Sequence, residues 1–195
     1  MGGFAKACSS DPAIYPYKLV DAGSANCVAD REMQLPTGKG LMVRQNPNQC
    51  EAIVHATRQT LAADPSLWCL QADFCNAFNL VDRATALAKV EELFPEILNW
   101  VNTCYGQPSN LLFGSTSLSS GRGFHQGDPL ASLLFCLVLL QLVNLIKERV
   151  PDLPMNAWFL DDGTFLGTLD QLREVVEILQ VEGPSQGLIL DQRTS

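Results

Sequence analysis

The stretch "NAWFLDDGTFLG", residues 156–167, sets Asp161 and Asp162 side by side between two short apolar runs. "WFL" before the pair and "GTFL" after it are of strand length, and Asp tolerates the dihedrals that tight turns impose. The reading is strand, turn, strand, with Asp161-Asp162 as a two-residue hairpin loop. Neighbouring side chains of a regular strand point to opposite faces, so two successive carboxylates serve one site only near a hairpin tip.

A third carboxylate stands at the end of another apolar run of strand length, "SLWCLQADF", residues 66–74, which closes on Asp73 and Phe74. If that strand lies beside the hairpin, three acids meet at one end of a sheet. Unit charges 4 Å apart repel by about 1 kcal/mol in water and about 4 kcal/mol at an effective dielectric of 20. Divalent cations are the natural compensation, and all-oxygen ligands suit Mg²⁺. Two such ions held by carboxylates stabilise the attacking and leaving oxygens in phosphoryl transfer. On spacing alone, a solvated turn and an Asp73 that caps the next segment account for the same letters.

Three ordered strings narrow the choice. "ADFCNAFNLVDR" (residues 72–83), "GFHQGDPLASLLF" (123–135) and "WFLDDGTFLG" (158–167) together resemble motifs A, B and C of reverse transcriptases, most closely those of non-LTR retrotransposons. The family patterns run D-F-x-N-A-F-N, Q-G-D-P-L-x-x-L-L-F and Y/F-x-D-D. The resemblance covers about residues 45–195.

It implies Asp73, Asp161 and Asp162 as catalytic carboxylates. Two Mg²⁺ ions, with Mn²⁺ as a substitute, would be held by these three and by the carbonyl of Phe74. Phe78 matches the bulky residue that closes the pocket against a 2′-hydroxyl, the group that separates ribo- from deoxyribonucleotides. Gln126 and Gly127 match the loop that contacts incoming dNTP and template. His125 is read as a neighbour without a catalytic role, and Arg122 as a solvated loop charge, with a phosphate contact as its alternative.

Past motif C, Gly187 and Leu188 begin a segment like the family's motif D. The lysine expected there falls near Thr194, beside Arg193, and arginine is a poor proton donor. A basic fingers motif is not recognisable upstream, where Lys39 and Arg44 stand instead, and the expectation is a palm without a thumb in this stretch. The expected organisation is an irregular N-terminal segment with residual fingers at 1–47 and a palm at 48–195.

Composition agrees with one domain that buries a core. The chain has 195 residues, 47% hydrophobic and 17% charged, with a net charge of −8 and a pI near 4.6. That sign excludes an autonomous nucleic-acid binder, since Lys and Arg supply most non-specific affinity for phosphates. Seven scattered cysteines without C-x-x-C spacing read as reduced thiols, which points to an intracellular setting, nucleus or cytoplasm. The apolar run at 130–146 is short for a bilayer span and reads as a buried core helix. No membrane partner is expected.

Around the motifs, helices are expected at "QCEAIVHATRQTLAAD", "DRATALAKVEELF", a Pro95-started "PEILNWVNTCYG" and "LDQLREVVEILQVEG", with two strands about Gly114. Asp128 is placed to cap a helix opened by Pro129. The fold class is α+β: a palm-like small antiparallel sheet packed on helices, with partial fingers. The expected function is RNA-directed DNA polymerisation on a primer 3′-hydroxyl, with RNA template, DNA primer and dNTPs as partners and little activity as an isolated chain. The alternative is a retroelement-derived remnant or domesticated binding module without catalysis.

Overall fold

Asp64 and Pro65 stop the first helix, and from there the chain alternates between helices and short strands. The computed structural model describes residues 49–191. The expected residual-fingers segment with Lys39 and Arg44, and Arg193 and Thr194 at the other end, lie outside the described residues. In chain order the elements are α1 (Gln49–Ala63), β1 (Trp68–Ala72), the single turn α2 (Ala77–Leu80) and α3 (Arg83–Leu93). A 3₁₀ turn (Pro95–Ile97), α4 (Leu98–Tyr105), and the hairpin β2 (Ser109–Phe113) and β3 (Thr116–Ser120) follow. The long α5 (Pro129–Arg149), β4 (Met155–Phe159), β5 (Asp162–Gly167), α6 (Leu169–Glu182) and a last 3₁₀ turn (Pro184–Gln186) complete it.

The main sheet has the order β1-β5-β4, all antiparallel, so β5 is central. Register follows from packing on one face. Gly163 pairs with Ala72 on one side and Trp158 on the other. A Cβ on Gly163 would come within 2.9 Å of the rings of Trp158 and Phe165, so only glycine lets both aromatics close over the sheet. Trp158 is 1% exposed, stacks on Phe74 at 5.8 Å and meets Phe165 edge-on at 5.2 Å. Its indole N–H donates to Asn156 Oδ1 at 2.8 Å, which satisfies a donor that would otherwise be stranded in the core.

The core then continues into α5, apolar on nearly every face from Leu130 to Ile146. It is long and apolar enough to cross a membrane, yet 72% of that window is buried inside the fold. It is the core helix expected from the sequence. Asp128 caps it through the Leu130 N–H at 2.9 Å, with Pro129 at its first position. Thr168 and Gln171 form a reciprocal capping box at the start of α6.

One local expectation changes. The Pro95-started helix is interrupted: Pro95–Ile97 is 3₁₀ and the α-helix begins at Leu98, a tightening common at helix starts. The sheet is also covered on part of its second face. Alternation puts Met155 and Leu166 opposite to Trp158 and Phe165, and the Thr57 hydroxyl of α1 reaches Met155 Sδ at 3.5 Å. The end of this second face away from α1 carries the acids.

Candidate functional site

The last β1–β5 pair is Ala72↔Gly163, so one further step along each strand sets Asp73 opposite Asp162. Directly opposed residues share a face, with Cβ atoms about 4.5–5.5 Å apart. The hairpin closes on the pair Phe159↔Asp162. The two-residue loop is therefore Leu160-Asp161, one residue earlier than expected, and Asp162 already belongs to β5. Leu160 holds a left-handed φ of 55°, a conformation that costs a non-glycine residue about 1–2 kcal/mol. Strain of this kind persists only where the surroundings impose it. Here the pairing of Trp158 with Gly163 and of Phe159 with Asp162 does so, and it turns Asp161 toward the end of the sheet.

The electrostatics tie the three acids together. Burial lifts the Asp161 carboxyl above its usual range; its own backbone N–H opposes the shift and the charge of Asp73 adds to it. Asp162 is pushed up to about 6, first by loss of water from its inner flank, then by Asp161, then by Asp73. Among the described residues, no three His, Cys, Asp or Glu side chains stand close enough to hold a metal ion. The acids are thus electrostatic neighbours that have not converged on one point. Their chemistry, oxygen donors of surplus negative charge, fits a hard divalent cation.

Asp162→Asn, which keeps the shape and removes the charge, is expected to stabilise the metal-free fold at pH 7–8. The gain is about 1 kcal/mol after discounting for solvent at the exposed flank, or roughly 2–4 °C in melting temperature. A raised folded-state pKa means that Asp162's contribution is fully favourable below pH 3.8 and is lost as pH rises through about 6. The variant's advantage should therefore grow across that window. A melting difference independent of pH would sink the assignment.

Phe74 points into the core at 3% exposure. The backbone on either side of it is fixed by the 189–191 segment: the Cys75 N–H donates to the Ile189 carbonyl at 2.7 Å and the Asp191 N–H to the Asp73 carbonyl at 2.8 Å. The Phe74 carbonyl takes part in neither bond. Gly187 makes this approach possible: its φ is 78° and a Cβ there would run into the Leu80 carbonyl.

Phe78 lies half-buried in α2, its ring stacked on Phe135 at 4.7 Å. Its carbonyl accepts from the Phe124 N–H at 2.6 Å, which docks the approach to α5 onto the turn that follows Asp73. Gln126 and Gly127 are exposed in the loop that enters α5. Gly127 has a φ of 89° with open space around its missing Cβ, so the backbone angle, not crowding, demands glycine there. The site thus has two parts, the acids at the sheet end and Phe78 with Gln126–Gly127, joined by the chain from Asp73 through α2.

Sequence reasoning missed Arg83 and Tyr105. Arg83 is 6% exposed and binds four groups in residues 120–123. Burial, then the hydrogen bond to Asp128, holds the Tyr105 phenol well above its usual range. Arginine is almost always exposed, so nothing in the letters "VDR" announces a buried one. Arg122 offers only its carbonyl to Arg83, and His125 is exposed with its ring 5.7 Å from Tyr105.

The sequence profile described as "Reverse transcriptase (RNA-dependent DNA polymerase)" matches residues 21–193. No curated protein sequence matches the chain. Among solved structures, apo telomerase from Candida tropicalis truncated from its C-terminal domain superposes with a TM-score of 0.65 at 12% identity, covering 88% of this chain and 39% of that one. Candida tropicalis telomerase with a fragment of telomeric RNA gives 0.64 at 10% identity, covering 88% and 32%. Candida albicans telomerase, also with such a fragment, gives 0.63 at 13% identity, covering 85% and 33%. The chain spans 32–39% of the length of those structures, and the likeness at this identity is one of fold.

Proposed function

The chain belongs to the reverse transcriptase (RNA-dependent DNA polymerase) family, and from that premise we propose that it carries the polymerase palm of a non-LTR retrotransposon. Its chemistry would be nucleotidyl transfer from a dNTP to a primer 3′-hydroxyl, directed by an RNA template. The observation that carries the proposal is the placement of Asp73 across from Asp162 with Asp161 at the hairpin tip. Burial first, and then the charge of Asp73, push the carboxyls of both Asp161 and Asp162 upward, with strand register and the hairpin loop holding the acids at one sheet end.

Asp73, Asp161, Asp162 and the Phe74 carbonyl are assigned as the ligands of two Mg²⁺ ions, with Mn²⁺ able to replace them. When bound, such ions activate the attacking hydroxyl and neutralise charge on the triphosphate. The remaining work falls to the chain itself. Phe78, braced by Phe135, blocks the space at C2′ and so excludes a 2′-hydroxyl. Gln126 hydrogen-bonds as donor or acceptor, and Gly127 lets the backbone approach nucleotide and template closely. With a net charge of −8, holding template and primer along their length is assigned to surfaces other than this palm. The setting proposed is intracellular, nucleus or cytoplasm, consistent with the described cysteines, which form no disulfide.

The test is extension of a DNA primer on an RNA template by the full chain, with Mg²⁺ and labelled dNTPs. The expected result is template-directed incorporation that exceeds that of Asp161→Ala. Incorporation no higher than the variant's would overturn the enzymatic reading and leave a folded, non-catalytic family member.

A further inference from the structure

Arg83 is a buried cation that, among the described residues, forms no ion pair. A charge removed from water costs several kcal/mol unless it is fully hydrogen-bonded. The compensation here is almost all backbone. Nε donates to the Gly123 carbonyl at 2.5 Å, Nη1 to the Ser120 carbonyl at 3.0 Å, and Nη2 to the Arg122 carbonyl and the Ser120 hydroxyl, both at 3.2 Å. All of these acceptors lie just before the loop that carries Gln126 and Gly127.

The other end of that loop is fastened through the same guanidinium. Arg83 lies over the ring of Tyr105, 5.3 Å from its centroid. The Tyr105 hydroxyl donates to Asp128, whose other oxygen caps α5. Between the two anchors, the Gly123 N–H reaches the Val81 carbonyl at 3.0 Å and the Phe124 N–H reaches Phe78. A Cβ on Gly123 would strike the Asn79 backbone, so the loop sits hard against α2. Only His125, Gln126 and Gly127 stand exposed between the anchors.

We propose that Arg83, together with Tyr105, is a positioning residue that sets the pose of the Gln126–Gly127 loop relative to Phe78 and Asp73. The proposal rests on the reading of Gln126 and Gly127 as nucleotide contacts. It explains why an arginine opens α3: a planar fork can grip four acceptors at fixed angles, which a lysine ammonium on a flexible stem does not reproduce.

Two variants of the full chain test it, Arg83→Lys and Tyr105→Phe, the second keeping the ring and removing one donor. Amide hydrogen exchange and the affinity for a fluorescent dNTP with Mg²⁺ are measured on each. The expected result is exchange accelerated about tenfold or more across residues 121–128, unchanged exchange in α6, and a nucleotide Kd weakened about tenfold. Unchanged exchange at 121–128 in Tyr105→Phe overturns the latch. So does acceleration equal in α6 and the loop, because that is general destabilisation. Should Arg83→Lys fail to fold, Tyr105→Phe carries the test alone. If the wild-type chain binds no dNTP, the nucleotide reading fails and the positioning role with it, while local acceleration at 121–128 would still establish the latch.

Discussion

Replacing Asp161 with alanine is expected to lower dNTP incorporation about 10³-fold or more, the scale on which loss of one preorganised electrostatic group acts in a water-poor site. The same change is expected to raise, not lower, the melting temperature of the metal-free chain at neutral pH. Burial and the charge of Asp73 push the Asp161 carboxyl above its usual range, so the ionised form is held at a cost that alanine removes. The gain should fade as the pH drops and the wild-type carboxyl takes up its proton.

Divalent cations reverse the ranking. A ligand that binds only the native state stabilises it by about 1.4 kcal/mol at ten times its Kd. Millimolar Mg²⁺ should therefore raise the melting temperature of the wild type and leave that of Asp161→Ala nearly unchanged. Together the two measurements separate lost chemistry from lost folding. A wild type whose melting ignores both Mg²⁺ and Mn²⁺ would mean that the acids do not close on an ion.

Trp158→Ala is expected to cost about 3–5 kcal/mol, a large share of the 5–15 kcal/mol that holds a typical domain together. The indole is 1% exposed between Phe74 and Phe165, so truncation opens a cavity that the surrounding rings cannot refill. It also takes the donor from Asn156 Oδ1, a buried residue whose Nδ2 already lacks a partner. Trp158→Phe, which keeps a ring against Gly163, should cost well under half as much. Urea midpoints for the three proteins check this, and a loss below about 1 kcal/mol for the alanine variant would show that the sheet is held by other contacts. Because Phe74 stacks directly on Trp158, the damage reaches the backbone that presents Asp73.

Much of this was legible in the letters. The 156–167 hairpin, the acid at the end of "SLWCLQADF", the Asp128-Pro129 helix start and the buried character of 130–146 all follow from local rules: alternation, turn chemistry, capping and apolar runs. The loop position did not follow. Turn preferences favour the Asp pair at the tip and give no reason to put leucine at positive φ. The fit of Trp158 against Gly163 sets a register that overrides that preference, because a slip of one residue would carry the buried aromatics to the wrong face.

Arg83 was hidden for a related reason. Its partners lie 37 to 40 residues further along the chain, and no local pattern distinguishes an arginine that will be buried from one that will be solvated. The sequence by itself determined which residues carry charge, which lengths of chain become strands or helices, and that three acids stand at the ends of strands. Only the tertiary structure decided that Asp73 faces Asp162, that Asp161 rather than Asp162 turns the hairpin, and that Arg83 and Tyr105 pin the Gln126–Gly127 loop. Those outcomes depend on contacts between distant segments, where packing around single glycines and one buried cation outweighs any local propensity.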